Sequence, residues 1–498
     1  MEMTTDRFID FFAILIIGVY TFCLLAIFLF SLTYLNMLRH YIRYQKNQKK
    51  PLPKLDKEQL PAVTVQLPLY NELYVVERLL HCIAQLDYPP EKLQIQVLDD
   101  STDESLIVTQ KLVADLKKSG ILIDHIVRKD RVGFKAGALK EGLKTATGTY
   151  IAIFDADFLP DPSWLLKTIP HFNDPKVGLI QTRWGHLNRS DSILTQAQAF
   201  ALDTHFTLEQ VGRNLQNHFI NFNGTAGVWR KSCIIDAGNW NGDTLTEDLD
   251  LSYRAQLKKW KFVYLEDVVT PAELPVVISA VRSQQFRWNK GGAENFQKSI
   301  RNVLKSKNIS LSTKWNATMH LLNSSMFLAV FLVALLSVPL LFIKVQWPIF
   351  SIYLNLLGLF IISTLIFFSC YWVVHKKFYG GGMGSFFRYI PRFLFFYSIA
   401  IGLSFHNTIA ILEGHWGKKT PFIRTPKFSE QTLKNWKKNK YLLKNFSAFT
   451  IAELLLTGYF LFGLIASVFL GEINLFGLFP FYLMLTFGFG YVSYQGLK

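Results

Sequence analysis

Cysteine is scarce in this chain, and several common signatures of binding or catalysis are missing altogether. Only four cysteines occur among 498 residues, and they form neither a CxxC pair nor a zinc-ligand spacing: Cys23, Cys82, Cys233 and Cys370. This scarcity argues against a disulfide scaffold or a structural zinc site and is typical of a reducing compartment. The sequence also lacks a GxxxxGK[ST] phosphate-binding loop, an internal repeat and a low-complexity segment, which argues against P-loop NTPases and repeat architectures.

Charge is absent from residues 11–33, a run long enough to cross a bilayer core at about 1.5 Å per residue. Acidic residues precede the run and basic residues follow it: Glu2, Asp6 and Asp10, then Arg39, Arg43, Lys46, Lys49 and Lys50. A cleaved signal peptide would instead show basic residues before a shorter apolar core. The positive-inside rule therefore predicts a retained helix with its N-terminus outside and the following domain in the cytoplasm.

Further apolar runs occupy the C-terminal part, at about 320–343, 347–374, 450–470 and 474–494. With the first run they predict five crossings and a cytoplasmic C-terminus. Another run, at about 386–412, has basic residues on both flanks and Arg388 and Arg392 near its start. Each arginine would cost about 2.5–3.5 kcal/mol at the bilayer centre. We therefore expect an interfacial or re-entrant helix at this position.

These runs divide the chain into an N-terminal transmembrane helix (1–40), a cytoplasmic domain (41–318) and a C-terminal membrane region (319–498). The formal net charge is +16, and the basic residues concentrate beside the apolar runs. Attraction to membrane lipids and to nucleotide phosphates explains this charge better than binding to nucleic acid. We expect no nucleic-acid partner.

The central domain alternates between strand and helix patterns. Apolar, β-branched runs at 62–67, 93–98, 121–127 and 150–154 are separated by helical stretches such as 72–86 and 135–145. This rhythm predicts an α/β fold with a mostly parallel, doubly wound sheet. Because ligands gather at the carboxyl ends of strands in such sheets, the acids at those ends are candidate site residues.

Asp99 and Asp100 end the second predicted strand. A carboxylate there can accept hydrogen bonds from a base N–H or a ribose hydroxyl, and so select a nucleotide. The alternative is a cap for the helix that follows. Lys135, between Gly133 and Gly137, lies near a helix N-terminus, where a cation and backbone amides favour an anion. A solvated lysine is the alternative there.

Asp155 and Asp157 follow the strand at 150–154, and their spacing of two places both carboxylates on one side of an extended backbone. Two such acids repel each other unless a cation lies between them. Mg²⁺ binds through one or two carboxylates together with phosphate oxygens, and it offsets charge on a departing diphosphate. A surface turn before Pro160 is the alternative.

Thr246, Glu247 and Asp248 have the pattern of a helix start, with a threonine cap and acids at the positive end of the dipole. The neighbouring leucines are equally compatible with an acid at the edge of a cleft. An alcohol acceptor needs a base to take its proton, and an aspartate or glutamate can serve.

Gln284, Arg287 and Trp288 stand at i, i+3 and i+4 and so share one face of a helix. Arginine supplies a fixed charge for pyrophosphate, and tryptophan supplies a flat apolar surface for a sugar ring. A core tryptophan beside a surface arginine is the alternative.

These stretches together resemble the processive membrane glycosyltransferases of family 2, which include cellulose, chitin and hyaluronan synthases. The sequences of these motifs are most similar to those of the cellulose-synthase-like glucomannan mannosyltransferases and their bacterial relatives. The stretches that carry the resemblance are QLPLYNE at 66–72, VLDDS at 97–101, FKAGAL at 134–139, FDAD at 154–157, FNGTAG at 222–227 and QQFRW at 284–288.

The resemblance implies a GT-A-like fold and a role for each matching residue. Nucleotide-sugar binding falls to Pro68, Tyr70, Glu72, Asp99, Asp100, Lys135, Asp155 and Arg287. A Mg²⁺ or Mn²⁺ ion would meet Asp155 and Asp157, and Asp248, beside Glu247, would be the catalytic base. Acceptor binding falls to Asn223, Gly224, Thr225, Gln284 and Trp288.

The basic loop between the interfacial run and the last two apolar runs is the final predicted site element. The simplest interpretation is that its positive charge only anchors the loop on the cytoplasmic side of the membrane. The resemblance implies instead a mobile segment that closes over bound nucleotide, with Arg424 and Lys427 on the diphosphate. Closure would exclude water, so that the acceptor takes the sugar.

The resemblance implies an inverting hexosyltransferase in a bacterial inner membrane, adding sugar from a UDP- or GDP-hexose to a β-linked glycan. Cellulose synthases have a cysteine where this chain has Asn223, so we expect a different acceptor pocket. The same motifs serve enzymes that glycosylate a lipid such as diacylglycerol once. A transporter or scaffold with a degenerate nucleotide domain is a third reading. A separate export subunit is compatible with the sequence, which specifies neither the hexose nor the linkage.

Overall fold

The computed structural model describes residues 2–46, 59–420, 423–428, 439–442, 447–473 and 477–498. Its central element is a seven-stranded sheet in the order β3-β2-β1-β4-β6-β5-β7. The strands are β1 Val63–Leu69, β2 Leu93–Asp99, β3 Ile123–Val127, β4 Tyr150–Ile153, β5 Val177–His186, β6 Gly227–Arg230 and β7 Lys261–Ala272. All pairs are parallel except those of β6, which runs antiparallel to β4 and β5. The predicted mostly parallel sheet is confirmed.

The central strands are buried on both faces, as parallel strands flanked by helices usually are. Their polar side chains pair across the register instead of meeting solvent. Thr64 Oγ1 donates to Gln94 Oε1 over 2.9 Å, and Gln66 Nε2 donates to Gln96 Oε1 over 3.0 Å. Because Thr64 lies opposite Gln94 and Gln66 opposite Gln96, these bonds fix the register of β1 on β2.

Helices cover both faces of the sheet. They are Val76–Ala84, Ser105–Lys118, Phe134–Thr145, Trp164–Thr168, Ile193–Thr204, Gln210–Leu215, Lys231–Asp236, Glu247–Leu257, Ile278–Lys305 and Leu311–Leu321, with a π-helical turn at His205–Glu209 and 3₁₀ turns at Pro90–Lys92 and Ile169–Asn173. One apolar core fills one face. The core of the other face includes Tyr34, Met37 and Tyr41 of the first helix, so that helix packs directly on the domain.

The apolar runs form the remaining helices. They are Glu2–Lys46, Met326–Gln346, Ser351–Leu357, Ile361–Tyr379, Met383–Gly402, Ser404–His415, Ala448–Phe469 and Leu478–Leu497, with 3₁₀ turns at Pro348–Phe350 and Gly358–Phe360.

Four helical spans among the described residues are long and apolar enough to cross a membrane: Asp10–Lys46, Met326–Gln346, Pro348–Tyr379 and Ala448–Phe469. They correspond to the first four predicted crossings. The last predicted crossing forms a helix but is not among these spans, since its glycines, tyrosines and glutamine lower its hydropathy. The run at 386–412 forms two helices bent by 46°, which can count as a fifth span or as a re-entrant pair. The number of crossings stays a prediction.

Candidate active site

A cleft of about 180 Å³ opens at the carboxyl ends of β1, β2 and β4, where parallel sheets bind ligands. Most predicted site residues line it: Pro68, Tyr70, Glu72, Asp100, Lys135, Asp155, Asp157, Asn223, Gly224, Glu247, Asp248, Gln284, Arg287, Trp288, Arg424 and Lys427. Residues from eight separate stretches of sequence therefore meet in one place. Asp99 and Thr225 do not line the cleft.

Asp99 and Asp100 point in opposite directions, because successive side chains of an extended backbone alternate. Asp99 is fully buried, with Oδ2 3.0 Å from His125 Nε2 and Oδ1 accepting from the Ser101 N–H over 2.9 Å. Its role is structural, which corrects the expectation of nucleotide binding. Asp100 faces the cleft and forms a two-pronged ion pair with Arg128, whose Nε donates to Oδ1 over 2.8 Å. Of the two, only Asp100 lines the cleft.

Lys135 connects three parts of the cleft. Its helix starts immediately after Gly133, which has a φ of 72° that favours glycine. The ammonium Nζ donates to Asp155 Oδ1 over 2.5 Å and to the Gly224 carbonyl over 2.8 Å. Burial opposes this charge, but Asp155 and Glu247 outweigh it and raise the pKa of Lys135 above its usual value. The lysine therefore stays cationic beside the carboxylates.

Asp155 and Asp157 each face a different lysine. Asp155 pairs with Lys135, and Asp157 Oδ1 lies 2.8 Å from Lys427 Nζ. Thr225 lies behind this pair, with its Oγ1 accepting the Asp155 N–H over 2.9 Å. Thr225 therefore braces the acids and does not reach an acceptor, which corrects its predicted role.

The two acids suit a hard divalent ion, because both line one cleft and each already has a cation against it. Within the described ranges, no three His, Cys, Asp or Glu side chains come together as an ion-binding group. A site of two carboxylates completed by diphosphate oxygens fits that arrangement. Lys427 would have to leave Asp157 before an ion could use that carboxylate.

Glu247 and Asp248 begin the helix Glu247–Leu257, as predicted. Burial raises the pKa of Asp248 to about 7, the adjacent Glu247 adds to the rise, and Lys135 opposes it. Asp248 Oδ1 accepts the Leu249 N–H over 2.8 Å. Thr246 does not cap the helix with its side chain, because its Oγ1 accepts from Asn295 Nδ2 over 2.9 Å. A carboxylate with a pKa near neutrality is well matched to general-base catalysis.

Gly224 makes room for this acid. Its φ is 81°, and a Cβ at that position would lie 3.1 Å from Asp248 Oδ2. An L-amino acid there would be strained and would crowd the Asp248 carboxylate. The FNGTAG stretch thus places its glycine against Asp248 and its asparagine, Asn223, on the cleft wall.

Gln284, Arg287 and Trp288 share one face of the helix Ile278–Lys305, and all three line the cleft. Arg287 Nη2 donates to Thr425 Oγ1 over 2.7 Å. Burial lowers the pKa of Arg287, although Asp155 and Glu247 oppose that effect. One turn earlier, Arg282 forms a buried ion pair with Glu453 of the helix Ala448–Phe469. The catalytic-domain helix is therefore tied to the apolar helices.

Residues 423–428, which we call the crossing segment, lie over the cleft. Arg424 binds Glu72 with two hydrogen bonds, of 2.8 Å from Nε and 2.6 Å from Nη2. The Phe428 N–H donates to Glu273 Oε2 over 2.8 Å. Burial opposes the charge of Lys427, but Asp157 outweighs it and raises the pKa of that lysine. Further lysines of the predicted basic loop, at 434, 437, 438 and 444, lie outside the described residues.

Sequence reasoning missed several residues that complete the cleft. The Arg131 guanidinium lies 3.2 Å from the centre of the Tyr70 ring, and Arg128 holds Asp100. Both arginines follow β3 directly, so basic residues at the end of a strand were an available signal. Trp184 and His186 at the end of β5 and Glu273 after β7 also line the cleft. The sequence gave no comparable signal for these three residues, because the strands β5 and β7 were recognised only in the structure.

Residues 61–291 match the family model described as "Glycosyltransferase like family 2". The matched region contains the sheet and every site residue described above except those of the crossing segment. This chain carries a family 2 glycosyltransferase domain. Plant glucomannan mannosyltransferases are homologues of this domain.

Two such relatives illustrate the likeness. "Probable glucomannan 4-beta-mannosyltransferase 7" of Oryza sativa subsp. japonica is 44% identical over 275 residues, which are 53% of this chain and 47% of the rice protein. "Glucomannan 4-beta-mannosyltransferase 7" of Arabidopsis thaliana is 42% identical over 260 residues, 51% of this chain and 47% of its own length. The matches thus span about half the length of these relatives.

Among solved structures, the glycosyltransferase domain shares its fold with a mannosyltransferase from Pyrobaculum calidifontis, determined in complex with GDP-Man and Mn²⁺. The two are 19% identical, with a TM-score of 0.51, and the alignment covers 80% of this chain and all of the other. At this identity the likeness concerns the fold, and it confirms the predicted GT-A-like architecture.

Proposed function

We propose that this protein is an inverting glycosyltransferase that transfers mannose from GDP-mannose to a growing β-linked polysaccharide of the mannan or glucan type. The observation that carries the proposal is the convergence of a candidate base, two neighbouring carboxylates and four cations in one cleft. The plant relatives, which are named as glucomannan mannosyltransferases, support mannose and a polymeric product. The GDP-Man of the structural neighbour is compatible with this donor.

The chemistry follows from the order of groups along the cleft. Asp248 takes the proton of an acceptor hydroxyl as that oxygen forms a bond to the anomeric carbon. The bond from that carbon to the diphosphate breaks, and the nucleoside diphosphate leaves with the electron pair. Attack from the face opposite the leaving group inverts the anomeric configuration. Trp288 and Gln284 stand where the acceptor sugar would rest.

Charge on the departing diphosphate is the main electrostatic problem, and four groups can answer it. Lys135 and Arg287 already lie in the cleft. Arg424 and Lys427 of the crossing segment are placed to transfer from Glu72 and Asp157 to phosphate oxygens. A Mg²⁺ or Mn²⁺ ion held by Asp155 and Asp157 would supply further positive charge against the diphosphate.

The crossing segment also controls access to the cleft. Its contacts with Glu72 and Glu273 lay it across the opening. We propose that it rises to admit the donor and then closes with its cations on the diphosphate. Closure would keep water from the sugar and favour transfer over hydrolysis.

We assign the catalytic domain to the cytoplasm and the apolar helices to a membrane, the inner membrane if the source is bacterial. The basic residues that follow the first apolar run support this orientation. Polymer exit through the helices and a separate export subunit are part of the same proposal.

A second candidate function is transfer of one sugar to a membrane lipid such as diacylglycerol. One observation favours it: a cavity of about 710 Å³ lies among the apolar helices. Its wall is largely aliphatic, with residues such as Leu340, Leu354 and Met484, and it suits acyl chains. A transporter or scaffold is disfavoured, because chemically competent side chains occupy the cleft.

A donor panel distinguishes these functions. Purified protein in lipid nanodiscs is given radiolabelled GDP-mannose, GDP-glucose, UDP-glucose or UDP-N-acetylglucosamine with Mn²⁺, and label is divided between chloroform and an ethanol-insoluble polymer. We expect mannose in the polymer fraction and none with Asp248→Asn. Label confined to chloroform would favour the lipid enzyme. No transfer from any donor would contradict both.

A further inference from the structure

A chain of buried polar groups runs behind the acceptor side of the cleft. It begins at Tyr34 on the first helix, passes through Glu209 and His205, and ends at Asn223. None of the three residues before Asn223 lines the cleft. These three residues have no role in the mechanism above, yet their hydrogen bonds lead to Asn223, whose side chain lines the cleft.

The Asn223 amide is held from both sides. Its Oδ1 accepts from Gln210 Nε2 over 2.6 Å, and its Nδ2 lies 3.1 Å from His205 Nε2. Gln210 Nε2 also donates to the Asn221 carbonyl over 3.1 Å. Because a carbonyl can only accept, the glutamine must present its NH₂ group to both partners. Asn223 must then turn its oxygen to Gln210 and its NH₂ group to His205.

The same reasoning fixes the histidine. To accept from Asn223, His205 must have a bare Nε2, so its proton lies on Nδ1. Nδ1 lies 3.3 Å from Glu209 Oε2, which accepts that proton in a hydrogen bond. Burial opposes the charge of Glu209, but its partners His205, Arg213 and Tyr34 hold its pKa well below the usual range. The Asn221 carbonyl and the Glu209 carboxylate can only accept hydrogen bonds. Together they therefore determine which atoms of Gln210, Asn223 and His205 donate.

The backbone supplies a second, independent observation. Residues His205–Glu209 form a π-helical turn between the helices Ile193–Thr204 and Gln210–Leu215. Such turns are rare and occur frequently at functional sites. Here the wider turn carries at its two ends His205, which contacts Asn223, and Glu209, which holds His205.

We propose that His205 is a positioning residue for the acceptor, fixing the Asn223 amide so that its second N–H and second lone pair bind a hydroxyl of the acceptor sugar. An amide has two N–H donors and two lone pairs, and one of each remains after Gln210 and His205 are satisfied. Asn223 adjoins Gly224, which abuts the candidate base Asp248. Asn223 would therefore bind one hydroxyl of the acceptor sugar, while a neighbouring hydroxyl of the same sugar attacks the anomeric carbon of the donor. This inference rests on the proposed function.

The test compares two substitutions of the histidine. His205→Phe keeps the ring and removes both nitrogens, whereas His205→Gln keeps an acceptor for Asn223 and a donor for Glu209. With GDP-mannose in nanodiscs, GDP release measures total donor turnover and labelled polymer measures transfer. We expect His205→Phe to cut polymer about five- to tenfold, the effect of one orienting hydrogen bond, and to leave the donor KM within about twofold. His205→Gln should restore most of the transfer.

Two controls make the outcome decisive. His171→Phe changes a partly buried histidine that does not line the cleft, and it should behave as the parent protein does. In an Asn223→Ala background, His205→Phe should lower transfer by less than about twofold more, because its effect passes through the asparagine.

A rate of polymer formation in His205→Phe equal to that of the parent protein would overturn the proposal. Equal losses of donor binding and transfer in both histidine variants, or full additivity with Asn223→Ala, would also overturn it. If His205→Phe does not accumulate, His205→Ala, which also removes both ring nitrogens, replaces it in the comparison with Asn223→Ala. A parent protein that transfers no mannose would refute the proposed function instead.

Discussion

The acid limb of the pH–rate profile should report Asp248, and one neighbouring substitution should move it. Burial, with a contribution from Glu247, raises the pKa of Asp248 from 3.8 to about 7. That rise of about three units corresponds to about 4 kcal/mol of differential stabilisation of the protonated form. A base must be deprotonated to accept a proton, so kcat/KM for the donor should rise about tenfold per pH unit below pH 7 and level off above it.

Glu247→Gln removes the like charge beside Asp248 while keeping the shape of the side chain. The pKa of Asp248 should fall, since ionisation no longer places two negative charges together. We expect the acid limb to move to lower pH by about one unit or more. Lys135→Met removes an opposing positive charge and should move the limb to higher pH.

The assay measures kcat/KM from pH 5 to pH 9, because this quantity reports groups of the free enzyme. Asp248→Asn is the reference variant and should lose a factor of about 10²–10⁴ in turnover with near-normal donor binding. A limb that stays in place in both Glu247→Gln and Lys135→Met would refute the assignment of Asp248 as the base. So would parallel losses of binding and turnover in Asp248→Asn.

Three further perturbations test the ion, the crossing segment and the tie to the apolar helices. Asp157→Asn or EDTA should abolish transfer without changing expression, and full activity in EDTA would exclude the ion. The double variant Arg424→Ala/Lys427→Ala should weaken donor binding about tenfold or more, because charge-assisted hydrogen bonds to the diphosphate are lost. Mn²⁺ binding to the free protein should not weaken, because Lys427 no longer occupies Asp157. Unchanged donor affinity would leave the loop only an anchoring role. Arg282→Met leaves Glu453 buried without its partner and should lower the free energy of unfolding by about 3–5 kcal/mol, measured as a lower Tm in detergent. The double variant Arg282→Met/Glu453→Leu should recover most of the lost stability. Equal Tm values for the single and double variants would contradict the pairing.

Local patterns sufficed for the first four strands of the sheet and for most of the cleft. Strand ends are visible in the sequence, and a parallel sheet brings carboxyl ends together, so Asp100, Asp155 and Lys135 meet as expected. The i, i+3, i+4 spacing likewise placed Gln284 and Arg287 on one helix face. These features depend on periodicity, which the chain itself displays.

What the sequence did not reveal depends on orientation and on distant pairing. Asp99 and Asp100 are chemically equal in the sequence, and only the phase of the strand decides which one is buried. The pair of Asp157 with Lys427 joins residues far apart in the chain, so no local pattern announces it. His205 lies in a stretch that reads as ordinary helix, because a π-helical turn has no simple sequence signature.

The central claim is that this cleft builds a β-linked polymer from GDP-mannose. The most direct measurement incubates the purified full chain in nanodiscs with GDP-mannose and Mn²⁺, sizes the labelled product by gel filtration, and treats it with an endo-β-1,4-mannanase. We predict a high-molecular-weight product that the enzyme reduces to short oligosaccharides. A product that remains the size of one mannose on a lipid would contradict the claim, and a polymer that resists the mannanase would contradict a 1,4-linked mannan.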